Sequence, residues 1–124
     1  MRQNFGSGGP FEDMYGYSRA VRVGAHVWVS GSCARDEAIV PDAYAQAVDA
    51  LRVIERVLAE AGASLADVVR TTTYVTDIRD TEKVAAAHRR SFGDVLPAAT
   101  LVEVSALADP HYLVEIQADA YVEE

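Results

Sequence analysis

The chain has 124 residues, 50% hydrophobic and 24% charged, which suits one compact globular domain and excludes a disordered or fibrous chain. Its formal net charge is −8, from 19 acidic and 11 basic side chains, with no basic run, so neither nucleic acid nor an anionic membrane surface is expected as a partner. The lone cysteine, Cys33, cannot close an internal disulfide, and no apolar run reaches the roughly 18 residues needed to span a bilayer. Met1–Met14 lacks a basic head followed by an apolar stretch, so the expectation is a cytoplasmic protein without a secretion signal.

Residues 1–16 carry Gly6, Gly8, Gly9, Pro10 and Gly16 and read as an N-terminal loop, with room for a short bridge near its start. Tyr17 to Val23 alternates in the manner of a strand, with Tyr17, Arg19, Val21 and Val23 on one face. Gly24-Ala25 then separates it from the strand His26–Ser30, and a two-residue connection with glycine first predicts a type II′ hairpin. A loop of small and charged residues follows to Pro41.

Asp42 is placed to cap a helix running to Ala61, whose apolar stripe is Tyr44, Ala47, Val48, Leu51, Ile54 and Leu58, with Gly62 as the stop. Ser64 to Asp67 reads as a short capped turn, with Asp67 where a capping box usually has Glu or Gln. The threonines and valines of Val68–Val75 predict a strand. A second helix is expected from Asp80 or Thr81 to Phe92, with Val84, His88 and Phe92 facing inward and Gly93 as the stop. Pro97 opens the next strand, centred on Thr100–Val104. Tyr112–Val122 is the last, with Val114, Ile116, Ala118, Ala120 and Val122 on one face and Glu115, Gln117, Asp119 and Tyr121 on the other.

The order ββαβαββ predicts a single α+β domain over residues 1–124, a two-layer sandwich with two helices covering one face of a mixed sheet. The other face, carrying residues such as Trp28 and Leu101, is left without helices, and a closed symmetric oligomer is the usual way to bury such a face.

Four segments together resemble the Rid (YjgF-like) family. Gly16-Tyr17-Ser18-Arg19-Ala20-Val21 is similar to its YSxAV opening, and Val27-Trp28-Val29-Ser30-Gly31 to its second strand ending in SG. Leu58 to Thr72 is similar to its central L-x-x-AG-x-S-L-x-D-V-V-K-T-T segment. Pro97 to Val104, followed by Val114-Glu115-Ile116, is similar to its closing PAR-S-x-VEV…EIEA segment. The resemblance implies a chorismate-mutase-like fold, a homotrimer with a cleft between each pair of subunits, and hydrolysis of reactive enamines and imines to keto acids and ammonia without cofactor or metal. It also implies site residues: the family's tyrosine falls on Tyr17, its cleft serine on Ser30 and its water-orienting acid on Glu115. Its carboxylate-binding arginine falls on Ala99 and its neighbouring cysteine on Leu101, so the acid is retained and the anchor is lost.

Imine hydrolysis needs a proton acceptor, a positioned water and a hold on the substrate. Glu115 is the catalytic candidate, although its alternation also fits a solvated strand edge. Tyr17 and Ser30 offer hydroxyls, and Ala99, Thr100 and Leu101 would line the wider, apolar pocket left by the missing arginine. Arg19 and Arg35 are the nearby cations that could replace it, and His111 precedes the Glu115 strand and could overhang the cleft. His26, His88 and His111 show no paired ligand spacing, so no metal is expected. Cys33, in a loop with no evident partner His or Asn, makes a poor nucleophile unless its pKa is lowered. The expected function is deamination of a small enamine, imine or related carbonyl metabolite; the alternative is a non-catalytic metabolite sensor using the same cleft, and a ribonuclease fits the acidic charge least.

Overall fold

A computed structural model describes residues 1–123. The described residues build one six-stranded sheet: β1 (Arg2–Phe5), β2 (Ala20–Val23), β3 (His26–Ser32), β4 (Val68–Val75), β5 (Ala98–Glu103) and β6 (Val114–Tyr121), in the spatial order β1-β2-β3-β6-β4-β5. All neighbours are antiparallel except β4 and β5. That parallel pair is joined by helix α3 (Thr81–Phe92), the kind of crossover parallel strands require. Helix α2 (Ala43–Glu60) makes the longer crossover from β3 to β4, and β6 fills the slot between them. The expected two-layer α+β sandwich is thus present, with a mixed sheet under α2 and α3.

The core lies between the helices and the sheet. Val27 and Val29 of β3, Val114, Ile116, Ala118 and Ala120 of β6, and Ala47, Leu51, Ile54 and Leu58 of α2 are all buried there. Burying a side chain of the leucine or isoleucine class contributes roughly 1.5–3 kcal/mol, so this layer dominates the fold's stability. Asp42 caps α2 by accepting from the Ala45 N–H at 2.9 Å, and Gly62, at φ +80°, takes the left-handed turn beyond the helix end. The Ser64/Asp67 capping box forms. Gly24 has φ +59° and Ala25 does not share the positive sign, as a type II′ turn requires.

Four expectations need correction. Residues 1–16 are not loop: β1 pairs with β2, and Pro10–Tyr15 forms the short helix α1, with Pro10 where a missing N–H costs nothing. The β2 strand begins at Ala20, because Gly16 and Tyr17 still direct their N–H groups to the Glu12 carbonyl as the chain leaves α1. Tyr44 is exposed, and Gln46, off the expected apolar stripe, is fully buried instead. Leu101 does not share the open face with Trp28: it pairs with Thr73, on the helix side, and packs against the core. Trp28 does lie on the uncovered face, 46% exposed, stacked against His26 with ring centroids 5.5 Å apart. Among the described residues no helix is long and apolar enough to cross a membrane.

Candidate active site

Strand β6 alternates strictly, so burial of Val114 and Ile116 under the helices turns Glu115 to the opposite face. Its cross-strand neighbour there is Tyr74 of β4, whose hydroxyl donates to Gln117 Oε1 at 3.0 Å. On the β3 side the pairing slips. Val29 pairs with Ala118 and Ser32 with Ile116, so β3 carries one residue more than β6 across this stretch. Such a bulge bends the strand and re-aims its residues. Here it sets Gly31 against Glu115: a Cβ at Gly31 would lie 2.8 Å from Glu115 Cδ, closer than real Cβ atoms come. The carboxylate occupies the space a side chain would need.

Around Glu115 opens a cavity of about 860 Å³. Tyr17, Arg19, Ser30, Cys33 and Arg35 line it, with residues of α1 forming a further wall. The Ser30 hydroxyl donates to the Ser18 carbonyl at 2.7 Å, which leaves its oxygen free to accept. The Cys33 thiol donates to Glu115 Oε1 at 3.5 Å. Burial pushes the thiol pKa well up, and the adjacent Glu115 charge adds to the rise against the smaller opposing pull of Arg19 and Arg35. Cys33 is therefore a protonated hydrogen-bond donor to the carboxylate, far from the activated thiolate that a nucleophile requires.

Arg19 is 5% exposed and reaches the Gly31 carbonyl through Nη2 at 2.7 Å, with its Cζ 5.3 Å from the Tyr17 ring centroid. Arg35 turns the other way: its Nη2 donates to Ser7 Oγ at 2.7 Å and lies 3.9 Å from Glu12 Oε2. Glu12 also accepts from the Ser7 N–H at 3.1 Å. Burial raises the Glu12 pKa, but the hydrogen bonds from Ser7 and the charge of Arg19 outweigh it and hold the carboxyl below its usual range. Glu12, Ser7 and Arg35 thus tie the N-terminal segment across the cavity wall.

Of the residues expected at the site, Tyr17, Arg19, Ser30, Arg35 and Glu115 meet around this one cavity. Ala99, Thr100, Leu101 and His111 do not line it within the protomer. Ala99 pairs with Thr71 and Leu101 with Thr73, both buried on the helix side, while Thr100 shares the open face but lies two strands beyond β6. That is roughly 10 Å of lateral separation. His111 is exposed and paired through Nδ1 with Asp109 Oδ1 at 3.0 Å. Three contributors were missed: the α1 wall, the Cys33 thiol and Gly31. The Ser30-Gly31 pair in a strand pattern was the available sign of the bulge. Among the described residues no cluster of three or more His, Cys, Asp or Glu is placed to hold a metal ion.

The pattern of the family described as Endoribonuclease L-PSP matches residues 11–122. A RutC family protein of Pyrococcus abyssi is 38% identical over 111 residues, 86% of this chain and 87% of its own length. The 2-iminobutanoate/2-iminopropanoate deaminase of Rattus norvegicus is 35% identical over 95 residues, 73% of this chain and 69% of that protein. Among solved structures, a YjgF-family protein from Mycobacterium tuberculosis matches with a TM-score of 0.93 at 50% identity, covering 98% of this chain and 100% of the other. With a family pattern over most of its length and relatives at this level of identity, the chain belongs to the YjgF/Rid (endoribonuclease L-PSP) family.

Proposed function

We propose that the protein hydrolyses a reactive enamine or imine to the corresponding carbonyl compound and ammonia, with Glu115 as the residue that orients water. The observation that carries this reading is the placement of the Glu115 carboxylate inside a cavity of about 860 Å³, held by the Cys33 thiol on one oxygen and confined by Gly31. The reaction needs little more. An enamine first takes a proton at carbon to become the imine. Glu115 accepts a proton from water as the water oxygen bonds to the C=N carbon, and passes that proton to the nitrogen. Glu115 then carries the hydroxyl proton of the resulting carbinolamine to its amine, the C–N bond breaks, ammonia leaves and C=O forms. The Ser30 oxygen and the Tyr17 hydroxyl stand where they could hold the polar end of the substrate.

The similarity to the rat deaminase supports this reaction class. The family's name suggests a ribonuclease, but a net charge of −8 without a basic run opposes RNA binding. The reading includes a homotrimer in which the β5 edge of a neighbouring protomer, with Ala99, Thr100 and Leu101, completes each cleft, because these residues cannot reach Glu115 within their own chain. It includes cofactor-free action in the cytoplasm, in keeping with the lone free Cys33.

The test generates imines in situ with an amino acid oxidase and follows keto acid formation. Wild-type protein should accelerate it and Glu115→Ala should not, and the mass in solution should be three times that of the 13.4 kDa chain. Absence of acceleration with every imine tried would overturn the catalytic reading. Ala99, where the family carries its arginine, favours one alternative: a sensor that binds metabolites in the same cleft, which ligands would stabilise thermally without turnover.

A further inference from the structure

We propose that Arg19 is a positioning residue: it braces the β3 bulge against which the Glu115 carboxylate rests, and so fixes where that carboxylate stands. The inference rests on the reading of Glu115 as the residue that orients water.

A bulge is a weak point in a ladder. Between the pairs Val29–Ala118 and Ser32–Ile116, Ser30 and Gly31 stand opposite Gln117 alone, so one of them has no place in the regular pairing with β6. Backbone groups displaced in this way need partners from elsewhere. Arg19 supplies both residues with one. Its main-chain carbonyl accepts from the Ser30 N–H at 2.9 Å, and its side chain donates through Nη2 to the Gly31 carbonyl at 2.7 Å. The second bond has a charged donor, which makes it the stronger of the two. Arg19 is itself moored, because its own N–H donates to the Phe5 carbonyl at 2.7 Å. The bulge is thereby tied to the end of β1 and the start of β2.

Glu115 packs on the same glycine that Arg19 grips. A Cβ at Gly31 would lie 2.8 Å from Glu115 Cδ, so any drift of the Gly31 backbone moves the surface on which the carboxylate rests. The side chain of Arg19 is suited to holding that backbone still. It is 5% exposed, and the Tyr17 ring lies 5.3 Å from Cζ, which leaves the planar group little room to swing. Nε is sealed from water and has no partner among the described residues. A buried donor left unused is destabilising. The placement therefore follows from where Nη2 has to be, and not from a full set of hydrogen bonds. These contacts all lie within one protomer, so the brace does not depend on what a neighbour adds to the cleft.

A residue that held the substrate would act on KM, whereas a brace behind the proposed base acts on kcat. The test compares wild type, Arg19→Met and Arg19→Lys by hydrogen exchange and by the kinetics of imine hydrolysis. Methionine keeps most of the unbranched stem and has no N–H donor, while lysine keeps a charged donor. In Arg19→Met the Ser30 amide should exchange at least about tenfold faster than in wild type, relative to the Leu51 and Ile54 amides of α2, which report opening of the core. The displaced carboxylate should lower kcat by about 100-fold and change KM by less than about threefold. Arg19→Lys should recover part of both losses. Should Arg19→Met fail to fold, Arg19→Lys decides alone, with a rise of about threefold at Ser30 expected. Ser30 exchange that rises no more than exchange in α2 would overturn the inference. A KM raised about tenfold with kcat intact would overturn it too, since Arg19 would then be holding substrate. Faster Ser30 exchange in Arg19→Met, with no imine hydrolysed by wild type, would instead overturn the catalytic reading and leave the brace standing. Hydrolysis by wild type with kcat indifferent to Arg19→Met would do the reverse.

Discussion

Cys33 Sγ and Glu115 Oε1 lie 3.5 Å apart, and the thiol is the donor. The pair joins the loop after β3 to the open face of β6 and gives the carboxylate a fixed hydrogen-bond partner. Burial is the main cause of the raised thiol pKa and the Glu115 charge the next. Replacing Glu115 with glutamine removes that charge and keeps the shape. The thiol pKa should then fall and alkylation of Cys33 by iodoacetamide should speed up. Each unit of fall gives ten times more thiolate but a weaker nucleophile, for a net gain of about three- to fourfold per unit. Unchanged or slower alkylation in Glu115→Gln would show that the two groups are not in contact.

Gly31 makes room for Glu115. An alanine there would place its Cβ 2.8 Å from Glu115 Cδ. The group that must yield is the end of a side chain, not backbone, so Gly31→Ala should fold with a stability change of about 1 kcal/mol or less. The carboxylate should be displaced by about an ångström, which is enough to slow the proposed imine hydrolysis by about 100-fold. Thermal melting alongside the imine assay separates the two effects. A variant as active as wild type would mean that the position of Glu115 is not set by Gly31.

Gln46 fastens the site's approach loops to α2. It is fully buried; its amide donates to the Val40 carbonyl at 2.8 Å and the His111 carbonyl at 2.9 Å and accepts from the Leu113 N–H at 2.9 Å. Gln46→Leu fills the volume but takes the partner from the His111 carbonyl and the Leu113 N–H, while the Val40 carbonyl keeps its bond from the Asp42 N–H, at a cost of about 2–4 kcal/mol. Urea unfolding should show that loss as a lower midpoint with an unchanged slope. A loss below about 1 kcal/mol would mean that water takes over these bonds.

The helix and strand pattern was legible in the sequence because each element carries a local signal. Asp42 and Gly62 bracket α2, Gly24-Ala25 marks the hairpin, and the alternation of β6 turns Glu115 from the core. The misses share a different cause. Gln46 is polar, and no local rule tells a glutamine with three partners in distant loops from one in solvent. The helix α1 has six residues, too short for periodicity to register. Cys33 and Glu115 are 82 positions apart, and only the bulge at Ser30-Gly31 brings them together. Position 99 shows the limit most plainly. The family resemblance implies an arginine where Ala99 stands, but only the register of β5 on β4 shows that Ala99 faces the helix side, away from Glu115 in the same chain.

His88 makes the fold sensitive to mild acid. Its Nε2 lies 2.8 Å from Thr71 Oγ1, its ring packs 4.7 Å from that of Phe92, and burial lowers its pKa below the ordinary 6.5. A base whose pKa is depressed by folding binds protons more readily in the unfolded chain. Above 6.5 both states are neutral there and its contribution is fully present; as pH falls below 6.5 toward the folded value, the unfolded state gains protons first and stability declines. The Glu12 carboxyl, also held low, adds its own loss only below 4.5. His88→Gln keeps a partner for Thr71 without a titrating group. Melting temperatures from pH 7.5 to 5 should therefore fall in the wild type and fall less in His88→Gln. Parallel curves would show that His88 is not the group that titrates.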